Sequence, residues 1–549
     1  MPAKITEITF DLCVVGTGPA GMITALEFSA LNPDKKVVLV EFGKDDKGGG
    51  NSLDDSIRIA NLENHHPPYE CTNKGLGGTS ATWGGRCVMY DKVDFLDRPI
   101  VKGGCTWNLN LLAEVQNYLK KTAEYFECGE GAFDLRETEY KNTSIAEGYI
   151  SSDVTDSVVE RWSMPTRFGK RYATDIAART NLTLLAGYEA RNFSVPDEQG
   201  NVDFLQLRNT TTGELLEVKA ASFVLAAGTQ ETTRILLRNK QIFNRIGGAP
   251  DALGKYYQSH LSGKIASVVF NGNPQKTDYG FIKDKEGIYI RRRFQFTADY
   301  LVRNNLLNTA IWLDNPLYHN PEHKSGAMSF MYMAMITPIL GKKLAPPAIA
   351  QSITKGKVEG VGKHLLNILK DLPGSLLIPA SIFYKRYCLK RKLPGVFLYS
   401  PNNRYALHFH AEQIPIYSNS MELDKDGETL VINYDITEDD ITSVIKLHEK
   451  LDADLRACNA GKLDYWFAPQ ELAEDIRKMS RDGIHQSGTT RIADTEKDGV
   501  VDTNLKVFGS GNVYVCSSSV FPTSGQANPT FFLGAFAVRL ANHLTSNKA

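Results

Sequence analysis

The chain has 549 residues, of which 42% are hydrophobic and 23% are charged, and its formal net charge at pH 7 is −1. This composition is typical of a globular protein, and the near-zero charge gives no reason to expect a nucleic-acid partner. The length exceeds what one hydrophobic core normally organises, so we expect two or more domains.

The cysteines and the first residues bear on the cellular compartment. Eight cysteines are scattered without a C-x-x-C pair, and several, such as Cys13 and Cys516, lie in apolar stretches. This usage favours free thiols in a reducing compartment. The first residues carry no apolar signal core, and no apolar run reaches the roughly 18 residues of a membrane-spanning helix. We therefore expect a soluble, cytoplasmic protein.

The first predicted element is a strand that runs directly into a glycine-rich turn. An apolar stretch over 11–15 is followed by Gly16, Gly18 and Gly21, at G-x-G-x-x-G spacing, and by a helix pattern over 22–31. Gly16 permits the tight turn, Gly18 lets backbone approach a phosphate, and Gly21 lets the helix lie close to the strand. The helix N-terminus then faces the phosphates. The pattern predicts a dinucleotide site.

A second predicted strand, over 36–41, ends in Glu41, which lies 20 residues after Gly21. A carboxylate at this position can accept hydrogen bonds from the adenosine ribose hydroxyls, and it disfavours a 2′-phosphate. The motif therefore argues against NADP, but it does not separate NAD from FAD.

Two later stretches bring more glycine towards the same crevice. Residues 75–86 combine glycines with small hydroxyl residues around Trp83, which indicates backbone pressed against a flat or phosphorylated group. The segment 221–225 is predicted to be a strand that leads to Gly228 and a helix, and antiparallel strands are expected just before it. From about 262 to 330, short alternating segments predict a different, antiparallel sheet that forms a wall of a substrate cavity.

Residues 341–392 differ from the rest of the chain, because they contain eleven Lys or Arg and two acids, with apolar residues alongside. The pattern predicts basic, amphipathic helices. They are either solvated helices that cover the cavity or a surface for an anionic membrane or an acidic or lipid-linked substrate.

The chain resembles the glucose-methanol-choline (GMC) flavin oxidoreductases over nearly its whole length. Within that family it is most similar to the pyranose-oxidase-like and bacterial sugar-dehydrogenase branch. The matching blocks are, in chain order, the Gly16 motif with Glu41, Gly77-Gly78-Thr79-Ser80, 225–231, 253–260, 412–415, 483–490 and 499–530. Several such blocks in the same order make the resemblance specific.

The resemblance implies an α/β plus α+β fold in two domains. The Rossmann-like FAD-binding domain is expected to be discontinuous, comprising 1–105, 180–261 and 475–549. The second, substrate-binding domain is expected over 106–179 and 262–474, built on an antiparallel sheet covered by helices and including the basic segment 341–392.

The resemblance also implies which residues contact FAD. They are Gly16, Gly18, Pro19, Ala20, Gly21, Glu41, Gly77, Gly78, Thr79, Ser80, Thr82, Trp83, Gly84, Ala227, Gly228, Ser517, Ser518, Asn528, Pro529 and Thr530. Some relatives tether FAD through a histidine just before a tryptophan, where this chain has Thr82, so we expect non-covalent FAD. Where many relatives have Asp, this chain has Ser517, which brings no charge and could lower FAD affinity.

His485 and Asn528 are the catalytic residues that the resemblance implies. A histidine at the first position removes the substrate hydroxyl proton while hydride passes to flavin N5, and an imidazole with a pKa near neutral suits that task. Asn528 hydrogen-bonds the same oxygen. We interpret His260 as structural, and we expect His408 or His410 to face the cavity without being catalytic. His65 and His66 are interpreted as exposed loop residues, and no metal site is expected.

The sequence therefore predicts an FAD-dependent enzyme that oxidises a CH–OH group, with a secondary alcohol of a sugar or glycoside as the expected substrate. A non-sugar alcohol, sterol- or polyketide-like, stays open as an alternative. So do a GMC-fold lyase that keeps FAD as a structural group and a membrane-docked assembly partner. Oxygen, a quinone and a redox protein are all compatible electron acceptors.

Overall fold

The computed structural model describes residues 6–44, 56–138, 140, 144–315, 317–337 and 358–546. The strands are β1 (Thr6–Val15), β2 (Val37–Glu41), β3 (Ile57–Ile59), β4 (Arg86–Cys87), β5 (Val154–Thr155), β6 (Val159–Trp162), β7 (Leu182–Ala186), β8 (Tyr188–Phe193), β9 (Phe204–Asn209), β10 (Leu215–Leu225), β11 (His260–Phe270), β12 (Ile282–Lys283), β13 (Tyr289–Arg292), β14 (Phe294–Phe296), β15 (Thr309–Asp314), β16 (Arg404–Glu412), β17 (Ser420–Leu423), β18 (Leu430–Asn433), β19 (Gly461–Tyr465) and β20 (Val513–Val515). The helices are α1 (Pro19–Leu31), α2 (Pro68–Cys71), α3 (Leu109–Gln116), α4 (Leu119–Phe126), α5 (Phe168–Ala178), α6 (Gly228–Arg238), α7 (Ala298–Asn304), α8 (Gly326–Ile336), α9 (Val361–Lys370), α10 (Leu372–Phe383), α11 (Glu438–Ala457), α12 (Leu472–Met479) and α13 (Pro529–Ser546). A π-helical turn, Tyr384–Cys388, continues α10.

The first sheet has the strand order β7-β2-β1-β10-β9-β8, and β20 also pairs with β10. β7, β2, β1, β10 and β20 are parallel, whereas β9 and β8 are antiparallel. Every residue of β2 is buried, as expected for a parallel strand covered on both faces. α1 packs on the sheet and against α13. The Rossmann-like fold and its antiparallel extension are confirmed.

The second sheet has the order β19-β11-β16-β15-β14-β5 and is antiparallel throughout. Its strands alternate, so that side chains such as Leu407 and Phe409 of β16 enter the core and their neighbours point to the other face. α11 covers the apolar face, where Val444 and Leu447 are fully buried. The predicted antiparallel sheet with covering helices is confirmed.

The packing of 106–179 differs from the predicted domain grouping. α3 and α4 pack against α13, and α5 packs against α1 and β7. Their apolar side chains, including Val115, Phe126 and Phe168, belong to the same buried cluster as the Rossmann-like sheet. The prediction had assigned this whole segment to the substrate domain, because periodicity shows which face of a helix is apolar but not which sheet it meets. The other predicted domain boundaries stay a prediction.

Two shorter sheets complete the architecture. One has the order β12-β13-β6-β4 and holds Arg86 opposite Trp162, and the other has the order β17-β18-β3. Within the described residues no single helix is long and apolar enough to cross a membrane. One bent pair, Val361–Lys370 with Leu372–Cys388, passes that test by length and composition, with a bend of 92° between its parts.

Candidate active site

The carboxyl ends of three parallel strands meet at one edge of the first sheet. Val15 of β1 pairs with Leu225 of β10, which in turn pairs with Val515 of β20. The residues that follow these three ends are the predicted cofactor contacts Gly16, Ala227, Gly228, Ser517 and Ser518. α1 and α6 both begin at this edge, so their partially positive N-termini lie where a dinucleotide phosphate binds.

The glycine motif is held by close backbone contacts. Gly16 has φ +104, and a Cβ on it would lie 2.5 Å from the carbonyl oxygen of Ala226. A Cβ on Gly21 would lie 2.0 Å from the Gly16 carbonyl oxygen, so α1 can approach the turn only with glycine there. At Gly18, by contrast, no described atom lies within 4 Å of the Cβ position. Two of the glycines therefore serve packing, and Gly18 leaves room for a ligand.

Pro19 and Ala20 form the first turn of α1, and no side chain caps this helix end. The turn that contains Gly77 and Gly78 lies directly beside it. The Gly77 amide donates to the Thr17 carbonyl at 3.1 Å, and a Cβ on Gly78 would lie 3.2 Å from the Gly18 Cα. The first and second glycine-rich stretches thus form one continuous backbone surface.

Glu41 stands at the end of β2, but the chain itself already uses its carboxylate. One oxygen accepts the amides of Gly43 and Gly75 at 2.9 and 2.8 Å, and the other accepts the amide and hydroxyl of Thr17 at 3.2 and 2.5 Å. A ribose hydroxyl at Glu41, as predicted, would have to share these lone pairs. The carboxylate links β2, the first turn and the second glycine-rich stretch.

The remaining predicted residues of the second glycine-rich stretch divide into buried and exposed ones. The Ser80 hydroxyl donates to the Gly77 carbonyl at 2.6 Å, and the Trp83 indole donates to the Thr166 carbonyl at 2.8 Å. Thr79 is half-buried, whereas Thr82 and Gly84 are exposed. At Gly84, as at Gly228, no described atom lies within 4 Å of the Cβ position.

His485 and Asn528 come together at the junction of the two sheets. The Asn528 Nδ2 amide lies 2.6 Å from His485 Nε2. An amide nitrogen can only donate, so Nε2 accepts and carries no proton, and the neutral ring holds its proton on Nδ1. Asn528 Oδ1 has no partner in the described chain. Pro529 and Thr530 follow as the first residues of α13.

Three polar residues that were not predicted to be functional surround His485. Asp482 Oδ2 lies 4.0 Å from His485 Nδ1 and accepts the His260 backbone amide at 3.0 Å. The rings of His260 and His410 stack at 4.1 Å, and both stand nearly perpendicular to His485 at 5.1 and 5.3 Å. His410 Nδ1 is hydrogen-bonded to the Gln526 carbonyl at 2.7 Å. The side chains of these residues pack around His485.

Burial sets the protonation state of this cluster. It lowers the pKa of His485, with nearby Asp482 opposing the shift and Arg86 reinforcing it. Burial likewise lowers the pKa of His260 to about 3 and that of His410 well below its ordinary value. Burial would raise the pKa of Asp482, but the His485 and His260 charges keep it below the ordinary value. The site therefore contains neutral imidazoles beside an ionised carboxylate at neutral pH.

The face of the second sheet that carries His410 is polar. Trp312 lies between the stacked ring of His408, at 4.4 Å, and the guanidinium of Arg86, at 4.2 Å. The Asp314 carboxylate contacts Lys264 Nζ at 2.6 Å and lies 4.0 Å from His408 Nδ1. Charged and hydrogen-bonding groups therefore extend from the His485–Asn528 pair along this face.

The interpretation of His65 as an exposed loop residue is wrong. Its ring is fully buried, with Nε2 2.7 Å from the Tyr257 hydroxyl, and a Cβ on Gly483 would lie 2.3 Å from it. His65 therefore supports the loop that carries His485, and no local signal could show this. Asp482 and His410 had clearer signals, since one lies three residues before His485 and the other alternates with His408 on a strand. His260, His410 and His485 have ring nitrogens within 4.8 Å of one another, and the expectation of no metal stays a prediction.

FAD fits the residues that the structure brings together. Uncapped helix ends and open glycine positions meet at the strand edge, and Asn528 Oδ1 and His485 Nδ1 are buried without partners in the described chain. A buried polar atom without a partner is costly, so these atoms are suited to a ligand that supplies one. The residues would hold the dinucleotide at the strand ends and present the His485–Asn528 pair beside the second sheet.

Comparisons with known proteins agree with this arrangement. Residues 415–537, which include His485 and Asn528, match the family model described as GMC oxidoreductase. The chain is 23% identical to paromamine 6′-oxidase of Streptomyces fradiae, an alignment that covers 97% of this chain and 90% of that protein. It is 21% identical to 6‴-hydroxyparomomycin C oxidase of Streptomyces lividus over 69% of this chain and 55% of that protein. The fold is similar to that of a fungal aryl-alcohol oxidase, with a TM-score of 0.53, 14% identity and coverage of 98% and 99%.

Replacing Glu41 by Gln should weaken FAD binding. The amide group puts a donor against the N–H groups of Gly75 or Thr17. Holding the turn in the geometry that binds FAD then costs about 1–3 kcal/mol, because a buried donor is left unmatched. We expect a roughly tenfold or greater rise in the FAD dissociation constant, measured by titrating the apoprotein and following flavin fluorescence. Exposed Glu198 provides the matched control, Glu198→Gln. Unchanged FAD affinity in Glu41→Gln would refute this role of the carboxylate.

Proposed function

Because the chain belongs to the GMC oxidoreductases, FAD-dependent enzymes that oxidise a CH–OH group, we propose that His485 and Asn528 form its catalytic pair. The observation that carries the assignment is the 2.6 Å contact between Asn528 Nδ2 and His485 Nε2. It defines one unprotonated ring nitrogen, beside an unused amide oxygen, at the junction of both sheets.

In the proposed reaction His485 Nε2 accepts the hydroxyl proton of the substrate. An alcohol is too weak an acid to lose hydride unless its proton leaves as well, so a neutral imidazole is needed. Asp482, 4.0 Å from Nδ1, stabilises the imidazolium that results. Asn528 Nδ2 can turn from His485 and donate to the substrate oxygen, which it stabilises as the carbonyl forms.

FAD, when bound, supplies the two-electron acceptor for the hydride. We propose that it is held without a covalent bond, since the position next to Trp83 is Thr82. The Thr82 hydroxyl accepts the Asn73 side-chain amide at 2.6 Å, and a threonine hydroxyl is not a tethering group. The N-terminus of α13, at Pro529, would favour negative charge on the ring.

The proposed substrate is a secondary alcohol of a sugar or glycoside. The polar face that includes Asp314, His408 and Lys264 offers the acceptors and donors that a polyhydroxylated ring needs. The names of the two Streptomyces relatives support a sugar or glycoside at low identity, but not the secondary position, because the 6′ and 6‴ carbons that they name are exocyclic primary carbinols. A non-sugar, more apolar alcohol is the second candidate, which the apolar composition of the segment 341–392 favours.

Oxygen, a quinone and a redox protein remain compatible electron acceptors, and we propose no choice among them. A reducing, cytoplasmic location is proposed from the cysteines, all of which are free thiols and most of which are buried. We also propose that the basic segment 341–392 contacts a membrane surface. Its first part, 341–357, lies outside the described residues.

The proposed base is tested by His485→Gln. Glutamine keeps hydrogen-bonding capacity but cannot take up the proton, so flavin reduction by an alcohol that reduces the wild type should slow by about 10²–10⁴-fold. The measurement is the single-turnover loss of oxidised-flavin absorbance without oxygen. The FAD spectrum and dithionite reduction should be retained. A rate within a few-fold of the wild type would exclude His485 as the base.

The pH dependence of flavin reduction follows from the lowered pKa of His485. The base works unprotonated, so the rate should be full at neutral pH and fall only below the ordinary value of 6.5. Asp482 raises this pKa, so Asp482→Asn should move the acid limb to still lower pH. An acid limb centred above 6.5, or one that Asp482→Asn moves upwards, would contradict the assignment.

A further inference from the structure

α9 and α10 point their apolar side chains away from the protein. Leu369 and Leu377 are 70% and 69% exposed. Other large apolar side chains of the same two helices are exposed as well: Val361, Leu365, Leu366, Leu372, Leu376, Ile378 and Phe383. We call these nine residues the apolar surface. Single exposed apolar residues are ordinary, but nine on two consecutive helices indicate an interaction site.

Two polar side chains of α9 face inwards and fix its orientation. His364 is fully buried, and its ring nitrogens are hydrogen-bonded to the Ser329 hydroxyl at 3.0 Å and the His319 carbonyl at 3.2 Å. The Asn367 side-chain amide donates to the Pro321 carbonyl at 2.8 Å. Turning the helices over to hide their leucines would break these bonds. These hydrogen bonds therefore hold the leucines of α9 in their exposed orientation.

Positive charge surrounds the apolar surface. The exposed lysines of 358–392 are Lys363, Lys370, Lys385, Lys390 and Lys392. The acids in that range are Glu359 and Asp371, and Lys363 pairs with Glu322 at 2.8 Å. Apolar residues beside an excess of lysines match the boundary between anionic headgroups and acyl chains. Exposed Tyr384 and Tyr387 add rings of the kind found at that boundary.

The helix lengths favour lying on a bilayer rather than crossing it. The 10 residues of α9 span about 15 Å and the continuous Leu372–Cys388 segment about 25 Å, against a hydrocarbon core of roughly 30 Å. The two parts also meet at a bend of 92°. Neither part alone reaches across, and buried His364 ties α9 to α8 rather than to lipid.

The end of this segment is attached rigidly to the body of the enzyme. The Arg391 guanidinium donates to the Trp162 carbonyl at 3.1 Å and to the Glu127 carbonyl at 3.0 Å. Trp162 in turn lies under the Arg291 guanidinium, which also lies over the ring of Trp312 on the polar face. Binding through the apolar surface would thus hold the substrate side of the enzyme in a fixed orientation.

We infer that the apolar surface docks on an anionic lipid bilayer, with the leucines of α9 and α10 at the headgroup–acyl boundary and the lysines against the headgroups. The inference does not rest on the proposed reaction. A second copy of the chain is a poorer occupant, because pairing the two surfaces would bring two sets of lysines together. Lipid headgroups supply the opposite charge.

The test is sedimentation of the FAD-loaded, full-length protein with vesicles. The vesicles contain either phosphatidylcholine alone or equal parts of phosphatidylcholine and phosphatidylglycerol. We expect binding to the anionic vesicles at low salt and weaker binding at high salt. The double variant Leu369→Ser/Leu377→Ser should lose at least about tenfold in partitioning, since each buried leucine contributes about 1.5–3 kcal/mol. Leu62, 55% exposed elsewhere, provides the matched control Leu62→Ser.

Cys388 allows a second, independent measurement of vesicle binding by the same protein. It is the exposed cysteine in the described chain, so a polarity-sensitive thiol dye on it should shift to the blue with anionic vesicles. No binding at low salt, equal binding of Leu369→Ser/Leu377→Ser, or a dimer that this variant dissociates would overturn the inference. Flavin reduction by a soluble alcohol should be unchanged in the variant, so failure here is distinct from failure of the proposed reaction.

Discussion

The active site depends on three parallel strands that end at the same level. β1, β10 and β20 pair in register, and the close approach of Gly16 and Gly21 to their backbone neighbours keeps α1 against this edge. Any side chain at either glycine would push the helix from the turn. The Glu41 carboxylate then joins this edge to the Gly75–Gly84 stretch. The cofactor platform is therefore made of backbone, and side chains mainly brace it.

The His485–Asn528 pair is assembled from a second set of constraints. His485 lies in a loop that buried His65 and Asp482 support, and Asn528 comes immediately before α13, which packs on α1. Because α13 packs on α1, it also holds the Asn528 amide beside His485. Stacked His260 and His410 pack against the ring of His485, and burial lowers the pKa of all three imidazoles and keeps them neutral at neutral pH. A neutral base can take a proton, whereas an imidazolium could not.

The features that depend on residues close together in the sequence could be predicted from it. The Gly16 motif, the alternation in β16 and the Rossmann-like order all followed from periodicity and glycine spacing. The resemblance to a known family was needed to pick His485 and Asn528, because a single histidine or asparagine carries no signal of its own. The support from His65 and the packing of α3 and α4 against α13 depend on long-range contacts and were missed. The amphipathic pattern of 341–392 was recognised, but only the structure shows that His364 and Asn367 are buried while the leucines of α9 and α10 are exposed.

The proposed active site and the apolar surface share no residue, but a series of contacts connects them. Contacts run from the polar face that would bind a hydroxylated substrate, through Arg291 and Trp162, to Arg391, which follows α10 and its π-helical turn. An enzyme held on a bilayer in this way would meet substrates or electron acceptors at the lipid boundary. A freely soluble sugar remains equally accessible to the same face.

The most direct test of the central claim is an anaerobic titration of the purified, yellow protein with pyranoses, glycosides and simple alcohols, followed by visible absorbance. The account predicts that at least one of these compounds removes the oxidised-flavin bands and is recovered as its carbonyl product. A protein that binds FAD and is reduced by dithionite, but that no alcohol reduces, would contradict it.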